Sequence, residues 1–224
     1  MSLLSIFKGF IGETMGSLAH KLMLDSVIYR ELNNVTIPTG DGTTQIDHVI
    51  VSRYGIFVIE AKNMNGWIFG DEKSAEWTQS LPGGKFKFQN PLRQNYRHIK
   101  CLSDFLGVDH DKFHSVVMFW GESTFKTAMP EYVLDKGYTS YIKSKISVLF
   151  SEDEVEQIVT AIQSGRLPAT WATRRQHIDS LKERHSLLET PTEAFKSGNP
   201  ICPLCNGAML RRSAKRGGHA GKEF

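Results

Sequence analysis

The sequence has few cysteines and no apolar run long enough to cross a membrane. None of its apolar stretches approaches the ~18–20 residues that a spanning helix needs. The opening segment, MSLLSIFKGFIGE, carries its charge at Lys8, after the apolar residues, and no small-residue cleavage site follows, so we expect no secretory signal. Three cysteines in 224 residues argue against a disulfide-stapled secreted protein. We therefore expect a cytoplasmic protein with no membrane contact.

Neither sign of charge dominates the whole chain, because 27 Lys and Arg stand against 24 Asp and Glu. The distribution is uneven: residues 1–165 carry a net charge of −3, whereas residues 166–224 carry +6. A basic tail is a weak indication of nucleic-acid binding, and a solvated basic helix is the competing interpretation. The hydrophobic fraction of 40% and charged fraction of 23% suit a folded α/β domain.

The residue pattern alternates between strand-like and helix-like segments. Spacing of apolar residues predicts a helix over 3–24, and the first strand is expected at Ser26–Glu31, ended by the turn residues of NNVTIPTGDG. Further strands are expected in QIDHVIVS, GIFVIEAKN and Phe113–Trp120, and around Trp77 and LPGGKFKFQNP. A helix should start after Pro91 and end at Gly107, and a second should start at Ser151, whose capping box includes Glu154.

Two carboxylates and a lysine interrupt the most apolar of these strands. If Arg53 and Tyr54 form a hairpin turn, Ser52 pairs with Gly55 and Asp47 stands directly opposite Glu60. Lys62 lies two residues beyond Glu60 and shares its face, whereas His48 points to the other face and is expected to be a packed residue.

Directly opposed carboxylates repel each other, so this pair calls for a compensating charge. A hard divalent cation such as Mg²⁺ is held by one or two carboxylates together with waters and substrate phosphates. A neighbouring lysine supplies the remaining part of a metal-assisted phosphodiester hydrolysis. The alternative is an ordinary set of surface ion pairs. The apolar surroundings favour the functional interpretation, because polar groups are costly there.

The residues from Gly12 and Glu13 through QIDHVIVSRYGIFVIEAKNMNGWIFG to QNPLRQNYRHI resemble the nuclease-related domain, NERD. This family is similar to the PD-(D/E)xK, restriction-endonuclease-like superfamily, and the resemblance covers residues 9–122. It implies an α/β fold with an αβββαβ core and a mixed four-stranded sheet flanked by helices. It also implies that Asp47 and Glu60 are metal ligands and that Lys62 is the catalytic lysine. Glu13 and Gln94 match further active-site residues, while His98 stands where related enzymes often have tyrosine.

The last part of the chain has a different composition. We expect a helical extension over 123–189, a linker over 190–200 and a separate module over 201–224. Cys202 and Cys205 have zinc-ligand spacing, and the segment resembles the beginning of a topoisomerase-type C-terminal zinc finger. Two thiolates cannot complete a tetrahedral zinc site, and the chain ends at Phe224 before further cysteines, so the site is expected to be incomplete even if His219 adds a ligand.

Three aromatic residues admit two interpretations. Trp67, Trp77 and Phe88 either stack on nucleic-acid bases or close the edge of a hydrophobic core. Taken together, the patterns predict a Mg²⁺- or Mn²⁺-dependent nuclease acting on DNA, in DNA processing or repair. The alternatives are a catalytically inactive nucleic-acid-binding module and a ribonuclease using the same site. The sequence leaves the oligomeric state open.

Overall fold

The structure, a computed structural model, describes residues 24–168, 170, 173, 175 and 177–180. It is a mixed α/β fold in which two mixed sheets are flanked by helices, which confirms the predicted restriction-endonuclease-like class. The strands are β1 (Arg30–Thr39), β2 (Gly42–Ser52), β3 (Gly55–Asn63), β4 (Gly66–Phe69), β5 (Glu76–Leu81), β6 (Gly84–Gln89), β7 (Phe113–Trp120), β8 (Ser123–Phe125) and β9 (Val133–Leu134). The helices are α1 (Pro91–Leu106), α2 (Tyr138–Ser144) and α3 (Glu152–Gly165).

The first sheet has the strand order β1-β2-β3-β7-β9 and is covered on both faces. Its first three strands are antiparallel, and β7 and β9 add in parallel. One face packs on α1 and α3, where Val49 and Val58 meet Leu102 and Ile162. The other face packs on α2, where Phe57 meets Tyr138. Both faces are therefore desolvated, as the continuous apolar runs predict.

The second sheet has the strand order β6-β5-β4-β8 and packs one face on the rest of the core. Ile68 and Trp77 are fully buried there, against Val117 and Phe119 of β7. The Gly-rich turn and alternating strand predicted for LPGGKFKFQNP form the turn into β6 and β6 itself. On the opposite face of this sheet Trp67 is exposed, and no helix of the described residues packs there.

The hairpin and the helices predicted at Pro91 and at Ser151 are confirmed. Ser52 pairs with Gly55, so the turn is centred on Arg53 and Tyr54. Helix α1 begins after Asn90, whose side chain accepts a hydrogen bond from the Leu92 backbone, and ends at Gly107 with φ of 64°. The capping box between Ser151 and Glu154 starts α3.

The prediction for the first strand is wrong. Residues 26–29 lie before the strand, and β1 runs straight through the predicted turn residues to Thr39. Val35 and Ile37 are fully buried and pair with Ile46 and Thr44 of β2. Burial of these side chains outweighs the poor strand propensity of asparagine. Asn34 accommodates the irregularity with a left-handed φ of 52°, a conformation that asparagine tolerates.

The implied four-stranded sheet is also incorrect, because the two-residue strand β9 pairs with β7 and makes five strands. Apart from Leu24, the predicted helix over 3–24 lies outside the described residues, and so do the linker over 190–200 and the module over 201–224. Those boundaries stay predictions. Within the part of the chain that the structure describes, no helix is long and apolar enough to span a membrane.

Candidate active site

The β2–β3 hairpin brings the predicted acidic residues together at the point where its pairing ends. The ladder runs from Ser52–Gly55 to His48–Ile59, so Asp47 and Glu60 are the next residues on the two strands. The Ala61 backbone N–H donates to Oδ2 of Asp47 over 3.0 Å. The Asp47 carboxylate thus reaches across to β3 and binds its backbone just beyond the last pair of the ladder.

The backbone on the other side of Asp47 is irregular as well. Pairing of β1 with β2 passes from Asn33–His48 to Val35–Ile46, and the intervening Asn34 has the left-handed φ noted above. Local departures from regular pairing redirect side chains and often occur beside active sites. Here the irregularity coincides with the one carboxylate of β2.

Glu60 and Lys62 form the centre of the site. Lys62 Nζ donates to Oε1 of Glu60 over 2.6 Å and to Oε1 of Gln94 over 3.0 Å. The Glu60 side chain is only 2% exposed, whereas that of Lys62 is 19% exposed. The ammonium group therefore links a buried carboxylate on β3 to the helix α1, and it retains access to solvent.

His98 completes the surroundings of Glu60. Its Nε2 lies 3.2 Å from Oε2 of Glu60, and its Nδ1 lies 2.8 Å from Oγ1 of Thr44. Each carboxylate oxygen of Glu60 therefore has a nitrogen neighbour, Lys62 on one side and His98 on the other. In the sequence, His98 stands out only as a departure from a family pattern. Its position four residues after Gln94 indicates a place at the site, because residues four apart lie on the same face of a helix.

Helix α1 is fixed against the sheet by buried amides that the sequence analysis did not identify. Asn95 Nδ2 donates to the Val58 carbonyl over 2.9 Å and to Oγ of Ser115 over 2.8 Å. At the start of the helix, Asn90 Nδ2 donates to the Ser74 carbonyl over 2.7 Å. These bonds hold Gln94 in register with Lys62.

The two carboxylates have opposite pKa shifts. Burial raises the pKa of Asp47 to about 6, and the negative charge of Glu60 adds to that effect. Burial also acts to raise the pKa of Glu60, but His98 and the Lys62 ammonium outweigh it, so this pKa lies below its ordinary value. Lys62 and His98 therefore stabilise the charged form of Glu60, whereas for Asp47 the opposing effects of Lys62 and His48 are outweighed by burial and by Glu60.

The donor set at this site is compatible with a hard divalent cation. Mg²⁺ is usually bound by one or two carboxylates together with several water molecules. Asp47, with its raised pKa, and Glu60 supply two carboxylates at the end of one ladder. Within the described residues, no group of three or more His, Cys, Asp or Glu side chains is placed to hold a metal ion. The described part of the site thus supplies at most two protein carboxylates, Asp47 and Glu60.

The remaining predicted residues have separate outcomes. His48 is buried, lies beside Asn33 Oδ1 and pairs with Ile59, on the face opposite the carboxylates, so its assignment as a packed residue is confirmed. Glu13, Cys202 and Cys205 lie outside the described residues, and their roles stay predictions.

Comparison with known proteins shows which family the chain belongs to. Residues 8–120, half of the chain, match the nuclease-related domain, NERD. The chain belongs to this family. It is also 45% identical over 105 residues to an uncharacterized protein of Bacillus anthracis; the matched region is 44% of this chain and 50% of that protein. The chain thus spans about half the length of this curated relative. No solved structure matches it. The NERD region contains both carboxylates, Lys62, Gln94 and His98.

Proposed function

We propose that this NERD protein is a Mg²⁺- or Mn²⁺-dependent nuclease that hydrolyses DNA phosphodiester bonds through a site of the PD-(D/E)xK type. The observation that carries the proposal is the contact of Lys62 with Glu60 at 2.6 Å, beside the buried carboxylate of Asp47. Membership of the family supports a nuclease-like function. A role in DNA processing or repair follows from the proposed substrate.

Asp47 and Glu60 would hold the metal ion. When bound, such an ion polarises a phosphoryl oxygen and lowers the pKa of a coordinated water. The protein's own part begins with Lys62, whose ammonium stands at the rim of a buried acidic site and can donate a hydrogen bond to an attacking water or to a charged phosphoryl oxygen. Gln94 accepts a hydrogen bond from Lys62 and so ties the ammonium to helix α1.

His98 contributes through Glu60. The histidine is anchored by Thr44 and lies against the far oxygen of the glutamate, so it limits rotation of the carboxylate. Positioned carboxylates bind a metal in one geometry at a small entropy cost. We assign His98 as a positioning residue and expect its loss to weaken the site less than loss of Lys62.

A second candidate is a nucleic-acid-binding module without turnover. It is favoured by the fact that Lys62 and His98 already approach both oxygens of Glu60. In that case the lysine neutralises a buried charge and takes no part in chemistry. Asp47 is the residue that distinguishes the two functions, because the nuclease needs its carboxylate to hold a metal ion and the binding module does not.

The test measures binding and cleavage of supercoiled plasmid, single-stranded DNA and single-stranded RNA by the purified full chain, with Mg²⁺, with Mn²⁺ and with a chelator. Metal-dependent cleavage that disappears in both Asp47→Asn and Glu60→Gln supports the nuclease. A matched control is Asp41→Asn, an exposed aspartate paired with Arg97, which should cleave like the parent. Cleavage of RNA alone would assign the ribonuclease alternative. Binding without cleavage under all conditions would assign the inactive module.

A further inference from the structure

The outer face of the second sheet combines an exposed aromatic residue with basic side chains. Ile68 and Trp77 point into the core, so their neighbours Trp67 and Phe69 on β4 face the other way. On the edge strand β6, Phe88 packs toward the core and Lys85 and Lys87 lie on the outer side. Lys126, directly after β8, shares that side. We call the surface formed by Trp67, Phe69, Lys85, Lys87 and Lys126 the Trp67 face.

Trp67 is the centre of this face. Its side chain is 53% exposed, whereas Trp77 on the neighbouring strand is fully buried. Lys126 Nζ lies 4.6 Å from the centroid of the Trp67 ring. The two interpretations of the aromatic residues are thereby separated: Trp77 and Phe88 belong to the core, and Trp67 presents a ring to solvent with a cation held against it.

The lysines extend along the sheet from Trp67. Trp67 pairs with Ser80 and Ser80 with Lys85, so these residues form one row across the strands. The next row on the same side joins Phe69, Thr78 and Lys87. Within the described strands, the acidic side chain of this side is Glu76, two rows from Trp67 at the far end of β5. Glu122, directly before β8, lies on the same side by the alternation that places Lys126 there. The three lysines therefore outnumber the two acidic residues on this side.

We propose that the Trp67 face binds single-stranded DNA, with a base stacked on Trp67 and backbone phosphates on Lys85, Lys87 and Lys126. An exposed ring beside a line of cations on an open sheet face is the arrangement that proteins use for unpaired strands. A neutral apolar partner would leave these lysines desolvated and unpaired. The face begins five residues after Lys62, at most ~18 Å of extended backbone. The proposal deepens the proposed function, because it assigns a strand that this surface delivers to the site.

The test measures binding of a fluorescent oligothymidine of about 12 nucleotides, and of an abasic strand of equal length, by anisotropy in a chelator at low salt. The chelator prevents cleavage, so binding is measured whether or not the protein is a nuclease. Trp67→Ala should weaken oligothymidine binding about 5- to 100-fold and abasic binding much less, because only bases stack. Trp67→Phe should retain most of the affinity. The control is Phe86→Ala, an exposed aromatic residue on the opposite face of the same sheet, which should bind like the parent.

The lysines are tested by their salt dependence. Lys85→Gln and Lys87→Gln should weaken both strands alike and each lower the slope of log affinity against log salt by about 0.7. Lys136→Gln, an exposed lysine outside the sheet, should leave the slope unchanged. The proposal is overturned if a folded Trp67→Ala protein binds oligothymidine as tightly as the parent does, or if the parent binds neither strand. Tighter binding of the matching RNA by tenfold or more would overturn the assignment to DNA. Absence of cleavage with metal, with Trp67-dependent binding intact, would reject only the nuclease.

Discussion

The two sheets place their charged side chains in different surroundings. In the first sheet, both faces are covered, Glu60 is 2% exposed, and Lys62 binds it directly. In the second sheet, one face is open, and Lys126 lies against the exposed ring of Trp67. Burial strengthens the interactions among the charges of the first sheet, so each charge depends on the others. Water screens the interactions among the charges of the second sheet. The two proposals thus assign chemistry to the sheet whose charges are buried and strand binding to the sheet whose charges are exposed.

The largest expected effect is on catalysis at the covered sheet. Lys62→Met should reduce metal-dependent DNA cleavage about 100- to 1,000-fold, because it removes a donor aimed at charge that develops during the reaction. It should also destabilise the fold by about 1–3 kcal/mol, since Glu60 loses its closest cation. Cleavage rates and thermal melting measure the two effects.

A double variant separates these effects. Glu60→Gln combined with Lys62→Met removes both charges and should recover most of the lost stability while it remains inactive. Recovery of cleavage together with stability would show that neither Glu60 nor Lys62 takes part in the chemistry and that their role is structural. The first sheet would then no longer be a candidate for catalysis, and the two sheets would differ only in burial.

The next largest expected effect is a dependence of the fold's stability on pH, caused by Asp47. Its pKa in the folded protein, about 6, exceeds the ordinary value, so the folded state binds this proton more tightly than the unfolded state does. The resulting stability is fully present below pH ~4 and is lost as the pH rises through 6. Without metal, Asp47→Asn should therefore be more stable than the parent by about 1–3 kcal/mol at pH 8 and equal to it near pH 4.

Chemical denaturation of both proteins across this pH range measures the difference. Asparagine keeps an oxygen that can accept from the Ala61 N–H, so the variant changes the charge and little else. The lowered pKa of Glu60 acts in the opposite direction, giving stability that is lost on acidification, and it cancels because both proteins contain Glu60. A difference that does not vary with pH would contradict the assignment.

A smaller effect is expected at His98. His98→Ala leaves the Thr44 hydroxyl and one oxygen of Glu60 without their present neighbour, which should cost about 1–2 kcal/mol of stability. Cleavage should fall less than in Lys62→Met. His98→Gln, which keeps a polar group in the space, should restore part of the rate, and equal rates for the alanine and glutamine variants would argue against a positioning role.

The smallest effects belong to the open face. Lys85→Gln and Lys87→Gln should each change the free energy of unfolding by less than ~0.5 kcal/mol, because exposed charges contribute little to stability. Thermal melting tests this directly. A cost comparable to that of Lys62→Met would show that these lysines hold the sheet together, and the contrast between the two sheets would be wrong.

The sequence was sufficient wherever local signals and burial agreed. The turn at Arg53 and Tyr54, the proline at 91 and the Ser151 capping box each predicted an element, and the turn set Asp47 and Glu60 on adjoining strands. It failed at β1, where Asn33 and Asn34 indicate a turn locally but buried neighbours on β2 impose a strand. The roles of His98 and Asn95 could not be predicted, because their partners lie far away in the chain and meet them only in the folded protein.

The most direct test of the account is whether the carboxylate pair of the covered sheet binds a divalent cation, since this requires no knowledge of the substrate. Thermal melting at pH 8 should be followed as Mg²⁺ or Mn²⁺ is added to the parent and to Asp47→Asn. At a metal concentration tenfold above its dissociation constant, the parent should gain about 1.4 kcal/mol, or roughly 3–6 °C. The variant should gain much less. Equal shifts in the two proteins, or no shift in the parent, would contradict the claim that Asp47 and Glu60 form a metal site.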